Sequence, residues 1–340
     1  MIALVSVVVV NYNGADALGR CLDALVSDTG ETEIEVLVVD NASSDGSERI
    51  AEAAAESHES VRLLRSTTNR GYAGAVNLAL AEARGSYLAV LNMDVVVSAG
   101  WLDPLVAFLE AAPQAGAACP LILLESDPGR INAAGQNVNV TGLGFNRWLG
   151  QPRERAGSAP FRVSGLHGAA FLIRRELLEE LGGWNESGFL YHEDVELSWL
   201  LAVAGREIHC VPASSVSHDY HLTMFPHKLF LLERNRWSML LADTRGLTRV
   251  TLAPLLALSE LMMWGYCLIR GPAFLRAKLD SYRWISTHRE RIRERRRFVE
   301  SVRRRSDWGV LRRMRWGYPL DQFATLGRER GESRRNRIPA

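Results

Sequence analysis

Four short, nearly continuous runs of aliphatic and β-branched residues at 5–10, 34–39, 61–64 and 87–91 constrain this chain most. A strand covered on both faces is apolar almost throughout, whereas a half-exposed strand alternates. Stretches with helical patterning separate the runs, at residues 15–26, 45–56 and 73–83. Apolar strands alternating with amphipathic helices predict a parallel sheet covered on both faces, and right-handed crossovers make it doubly wound. The loops at the C-terminal strand ends, 11–14, 40–46 and 92–97, then gather on one edge. Ligands bind at that edge in such sheets.

From residue 101 the pattern loosens. A helix is expected over 101–112, ended by Pro113, and a strand over 117–124. Residues 127–160, rich in Gly, Asn and Pro, read as extended segments and loops. A second ordered block follows: strand 169–173, helix 175–181, loop 182–189, helix 193–204, and strands 207–211 and 214–218. The chain then reads as helical from about 226 to 305, with the last dozen residues frayed. The apolar N-terminus lacks a basic region and a cleavage site, so a buried strand is expected there rather than a signal peptide. The four cysteines are far apart and form no CxxC pair, which argues against a zinc site or disulfide framework and fits a reducing compartment. Residues 271–340 hold 20 Lys/Arg against eight Asp/Glu, a net of +12 that leaves −11 on the remainder. Such a basic tail suits an anionic partner, lipid or nucleic acid, although no groove-reading motif is visible.

Four motifs carry chemistry. In the pair VSVVVVNYNG and VVDNASSDGS, Asp40 leaves a strand where a carboxylate can bind a nucleobase or ribose; it can equally open an Asx-turn. In NRGYAGAVNLAL, Gly71 and Gly74 permit close backbone approach at a helix N-terminus and Arg70 adds charge; a plain helix start reads the same. In LNMDVVV, Asp94 follows an apolar strand where a carboxylate can hold a divalent cation on a diphosphate; a solvated loop Asp is the alternative. Between residues 182 and 220, Glu193 and Asp194 open an apolar helix, where they serve its dipole or a reaction, and His218 follows two short strands.

In this order the motifs resemble glycosyltransferase family 2, most closely its rhamnosyltransferase-like members, over about residues 5–237. The resemblance implies the GT-A fold, a Rossmann-like, mostly parallel sheet flanked by helices, with a helical C-terminal extension. It implies a catalytic domain over 1–225, divided at 100 into nucleotide-binding and acceptor halves, and a basic helical extension over 226–340. Val10, Asn11 and Tyr12 would wall the base pocket, Asp40 bind base or ribose, and Asn69, Arg70 and Gly71 follow the ribose-diphosphate. The family's Asp-x-Asp reads Asn92-Met93-Asp94 here, so Asp94 is the one carboxylate that could join His218 on a Mg or Mn ion. Gly168 and Ala169 would lie under the donor sugar, with His167 beside it, and Trp184 and Asn185 would position the acceptor. Asp194 would be the general base of an inverting displacement. The helix after it lacks the Arg the family often carries. Arg234 or Arg236 would reach the diphosphate, and the missing Gln of the processive Gln-x-x-Arg-Trp motif favours a single transfer.

The implied partners are a dTDP- or UDP-sugar, rhamnose favoured, and an acceptor saccharide, lipid-linked among the options, in cell-surface polysaccharide or glycolipid assembly. No nucleic acid is expected. Residues 247–269 are long and apolar enough to span a membrane but contain Arg249, Pro254 and Glu260, so a helix packed on the domain or lying in a membrane interface is expected instead. The Arg-rich helices with Trp308 and Trp316 suit an anionic membrane surface, a solvated face or an oligomer contact. A cytoplasmic protein, peripheral at the inner face of the membrane, follows. A binding protein that has lost catalysis is the alternative function. A nucleotidyltransferase is disfavoured by the loop NYNGAD, which lacks a basic residue.

Overall fold

The computed structural model describes residues 4–221 and 223–319. The frayed terminus expected from sequence lies outside them, as do residues 1–3. The first half is the doubly wound unit: β1 (Val5–Asn11), α1 (Leu18–Val26), β2 (Ile34–Asp40), α2 (Ser47–Ser57), β3 (Val61–Arg65), α3 (Gly71–Glu82) and β4 (Tyr87–Asn92). Its strands run parallel in the order β3-β2-β1-β4. Every residue of β1 is buried, as expected of a strand covered on both faces.

The second half follows as β5 (Val95–Val97), α4 (Asp103–Ala111), β6 (Ala115–Leu124), β7 (Asp127–Ala133), β8 (Gln136–Val138), β9 (Gly144–Asn146), β10 (Phe161–Val163), β11 (Ala170–Arg174), α5 (Arg175–Glu180), α6 (Glu193–Val203) and β12 (Glu207–His218). It extends the sheet past β4 in the order β11-β6-β12-β10. β11 runs antiparallel to both neighbours, while β6 and β12 are parallel. The two strands expected at 207–211 and 214–218 are one strand, β12, that shifts register on β6 between Val211 and Ser215. Pro212 falls inside that interval and has no N–H to give the ladder, so the strand bulges there.

The C-terminal helices are α7 (Pro226–Asp243), α8 (Gly246–Arg270), α9 (Pro272–Thr287), α10 (Arg289–Val302) and α11 (Asp307–Leu311). They share the core of the sheet: Met239, Leu240, Leu252, Val299 and Leu311 pack in one cluster with strand and α6 residues. Arg304 and Arg305 donate their N–H groups to the carbonyl of Val203 at the end of α6. α7, α8 and α9 are tied by a buried charge cluster. Arg236 bonds Glu233 at 2.8 Å and also reaches Glu260; Lys278 lies 2.8 Å from Glu260 and also bonds Glu233. Two cations facing two carboxylates leave no net buried charge, and the two arginine and lysine charges hold the Glu233 carboxyl down to about 2.

Lys278→Met leaves two buried carboxylates on one guanidinium. We expect the urea unfolding free energy to drop by about 3 kcal/mol. Adding Glu233→Gln to that variant should restore part of the loss.

Candidate active site

The nucleotide edge is built by a lattice of short polar side chains at the ends of β1 and β2. Asn11 donates to Asp40 Oδ1 at 3.0 Å and to Ser47 Oγ at 2.9 Å. Asn41 donates to Asn69 Oδ1 at 3.0 Å and to the Gly71 carbonyl at 3.1 Å, and its own oxygen accepts from Arg70 N–H. The β2 loop is thereby pinned to the start of α3. Tyr12, 45% exposed, stands on the rim, while Val10 and Asp40 are buried at the floor. Asn11 is fully buried beneath Asp40, so it props that carboxylate instead of walling a pocket, correcting the expectation. Arg70 stays accessible on the rim, paired with Glu186 at 3.4 Å.

Gly71 also departs from expectation. Its φ is +69°, and a Cβ there would lie 2.1 Å from the carbonyl oxygen of Phe189. The space its missing side chain leaves is filled by Phe189 of the loop before α6. That loop holds Phe189, Tyr191 and His192 at φ of 59°, 64° and 73°, a conformation costly for bulky residues unless the surroundings impose it. The surroundings are on α7. Arg234 donates to the Gly188 carbonyl at 2.6 Å and to Ser187 at 3.3 Å. Asn235 donates to the carbonyls of Gly188, Leu190 and Tyr191 at 2.7–3.1 Å. Arg234 thus clamps the loop, with Nε on Asn235 and Nη2 on the loop carbonyls. Arg236, 1% exposed in the charge cluster, does not reach the crevice. Trp184 is buried against Phe171 in the core, and Asn185 accepts from Ser187 N–H and donates to Glu196.

The reactive groups converge through strand pairing. β5 runs antiparallel to the end of β12 with Val95 opposite His218, and Asp219 N–H donates to the Asp94 carbonyl at 3.1 Å. His218 Nε2 therefore lies 3.4 Å from Asp94 Oδ1. Nδ1–H of His218 donates to Asn132 Oδ1 at 2.9 Å, which turns the Nε2 lone pair toward Asp94. Asp94 Oδ1 is buried without a hydrogen-bond donor among the described residues. A hard carboxylate oxygen and an oriented imidazole nitrogen facing one space are a donor pair that fits a divalent cation. Among the described residues no third His, Cys, Asp or Glu joins them, so the remaining ligands would come from substrate and water. Asn92, at the end of β4, donates its backbone N–H to Ala169 O at 3.0 Å.

His167 continues the line. Its ring centroid is 5.9 Å from that of His218, and burial, aided by His218, pushes its pKa down to about 3. Nδ1 accepts from Ala169 N–H at 3.2 Å, so the neutral ring presents Nε2–H as a donor. Next in the chain, Gly168 N–H donates to Asp194 Oδ2 at 3.0 Å. Gln136 donates to the same oxygen at 2.7 Å and Val195 N–H to Oδ1 at 2.8 Å. Burial raises the Asp194 pKa against the opposing pull of His192. Burial and the Asp194 charge push Glu193 up to about 8. The Tyr72 hydroxyl lies 3.3 Å from the Gly168 carbonyl, and burial, with the Glu193, Asp194 and Asp94 charges adding to it, pushes its pKa up. Asp94 and His218 are thus neighbours, and His167 and Gly168 link His218 to Asp194. Asn132, Gln136 and Tyr72 were not singled out from sequence; the first two lie in the stretch without periodicity.

A mostly parallel, Rossmann-like sheet flanked by helices, with carboxylates and a histidine at its switch edge, is the GT-A architecture. The chain belongs to glycosyl transferase family 2, whose sequence profile matches residues 6–182. It is 33% identical over 240 residues to the N-acetylglucosaminyl-diphospho-decaprenol L-rhamnosyltransferase of Mycobacterium tuberculosis, covering 64% of this chain and 76% of that one. It is 30% identical over 224 residues to the O-antigen biosynthesis protein RfbC of Myxococcus xanthus, covering 63% and 17%. In fold it is similar to GalNAc-T7, solved with UDP, GalNAc and Mn2+, with a TM-score of 0.59 at 21% identity over 72% of this chain and 49% of that one. It is also similar to the mannosyltransferase PcManGT of Pyrobaculum calidifontis, in complex with GDP-Man and Mn2+, with a TM-score of 0.51 at 20% identity over 95% and 79%. The protein is a glycosyltransferase that uses a nucleotide sugar.

A carboxyl whose pKa is raised on folding binds its proton more tightly in the native state, so its contribution to stability is lost as pH rises. For Glu193 that loss spans pH 4.5 to about 8. In thermal melts across this range, Glu193→Gln should flatten the decline seen in the parent protein.

Proposed function

We propose that this glycosyltransferase moves one sugar, with inversion, from a nucleotide diphosphate sugar to a hydroxyl of a lipid-linked saccharide. The chain of contacts from Asp94 to His218, from His218 to His167, and from the adjacent Gly168 to Asp194 is the observation that supports this reading. Asp94 and His218 would hold the divalent cation, Mg or Mn, and the Asn132 hydrogen bond to Nδ1 would leave Nε2 of His218 free to do so. When bound, the cation neutralises charge on the departing diphosphate. Both structures of similar fold were solved with Mn2+.

Asp194 receives the proton of the acceptor hydroxyl. Its raised pKa makes it a better base than an exposed carboxylate, and three N–H donors fix where its free lone pair points. The acceptor oxygen attacks the anomeric carbon from the face opposite the diphosphate, the bond to the diphosphate oxygen breaks, and its electron pair leaves with the nucleotide. One displacement inverts the configuration, and no nucleophilic side chain is needed. The raised pKa of Glu193 favours its neutral form, which keeps a second negative charge away from the incoming hydroxyl. His167 offers Nε2–H to the sugar or the acceptor. Asp40 takes the base or ribose, and Asn69 and Arg70 line the approach of the diphosphate.

Rhamnose as the sugar and a diphospho-polyprenol saccharide as the acceptor are supported by the 33% identical L-rhamnosyltransferase of Mycobacterium tuberculosis. Four free, buried cysteines support a reducing, cytoplasmic setting, and the basic helices support contact with the inner face of the membrane.

With a radiolabelled dTDP-sugar and saccharide acceptor, Asp194→Asn should lower kcat about a thousandfold while donor binding holds. Transfer at the parent rate by that variant would contradict the base assignment. Separately, Asn132→Ala should weaken Mn2+ dependence about tenfold to a hundredfold in a titration of donor-induced thermal protection. Unchanged metal affinity would remove Asn132 from the account.

A further inference from the structure

α8 is amphipathic in the reverse sense. Its three charged residues, Arg249, Glu260 and Arg270, point into the protein: Arg249 to the Thr244 carbonyl, Glu260 to Arg236 and Lys278, Arg270 to the Met224 carbonyl. At about 100° per residue these three fall on one side of the helix. The opposite side carries Leu247, Val250, Leu258, Leu261, Leu268 and Ile269, exposed by 80, 70, 45, 70, 66 and 70%. These six lie within an arc of about 100°, and the stripe runs about 33 Å with no charge in it. Trp264 borders the stripe, with its ring 6.3 Å from that of Tyr282. Apolar patches of this continuity on a folded protein mark an interaction surface.

We propose that this face of α8 lies in the plane of an anionic bilayer surface, with the stripe among the acyl chains. Charge selects this occupant over a second copy of the chain. Residues 245–319 hold 18 Lys/Arg against six Asp/Glu, so two copies meeting through this region would bring like charge together, whereas anionic headgroups complement it. α8 is long and apolar enough to cross a membrane, but its inner face is committed to the buried cluster on α7 and α9. An in-plane helix keeps that packing; a span would have to break it. The geometry also links the surface to the site. Glu260 of α8 bonds Arg236 of α7, and two residues earlier Arg234 clamps the strained loop that leads into Asp194. The inference deepens the lipid-linked acceptor reading and rests on it for its purpose, although the surface is read from α8 alone.

The test is flotation of the full chain with vesicles of phosphatidylcholine, alone or mixed with phosphatidylglycerol. The parent protein should float with the anionic vesicles and lose binding at high salt. The variant Leu258→Glu/Leu261→Glu changes only exposed positions and should bind about tenfold or more weakly, with the same melting temperature and the same transfer to a water-soluble acceptor. Should that variant fail to fold, Leu268→Gln/Ile269→Gln at the other end of the stripe makes the same test. A parent protein that stays with the pellet, or a variant that floats equally well, overturns the proposal. So does light scattering that shows a dimer dissolved by the substitutions. Vesicle binding without transfer to any acceptor would instead sink the function reading and leave this surface standing.

Discussion

The short antiparallel pairing of β5 with the end of β12 is the constraint on which the site depends. It sets Val95 opposite His218 and ties Asp219 to the Asp94 carbonyl, so a carboxylate and an imidazole more than a hundred residues apart share one space. Side chains alternate across a strand, so a slip of one residue would turn His218 to the other face. The register is held by the long contact of β12 with β6, which persists on both sides of the bulge at Pro212. The bulge absorbs the irregularity before the functional end of the strand. β7 pairs with the far side of β6 and brings Asn132 to His218. Four strands, β5, β6, β7 and β12, therefore set the surroundings of one histidine.

A second constraint acts through the loop before α6. Three bulky residues there sit at positive φ, which costs free energy that other contacts must offset. α7 supplies those contacts through Arg234 and Asn235, and Gly71 supplies the space for Phe189. The helical extension is thus part of the machinery that shapes the entrance to Asp194. It shares the core with the sheet, and the buried Arg236, Glu233, Lys278 and Glu260 cluster fixes α7 against α8 and α9. Site geometry and the basic surface are consequently coupled through one helix.

The parallel half was legible because strands covered on both faces write themselves as apolar runs, and β1 to β4 stand where those runs lie. Asp94, Asp194 and His218 were legible because each follows or opens a strongly patterned element. Asn132 and Gln136 were not, since residues 127–160 fold as short strands whose order comes from partners distant in sequence. The arginines of the 233–237 segment misled for a different reason. An arginine that grips loop carbonyls or a buried glutamate has the same letter as one that grips a phosphate, and only the fold distinguishes them. Gly71 is similar: its missing side chain makes room for Phe189, where sequence alone pointed to a ligand.

The central claim is that Asp94 and His218 grip a cation on the sugar-nucleotide diphosphate while Asp194 faces the sugar. A crystal of the protein soaked with Mn2+ and a nucleoside diphosphate, with anomalous scattering used to locate the metal, tests it most directly. The account expects a manganese peak bonded to the Asp94 carboxylate and His218 Nε2, with the diphosphate against it and Asp194 across the sugar pocket. Manganese on other residues, or a diphosphate bound away from both ligands, would contradict it.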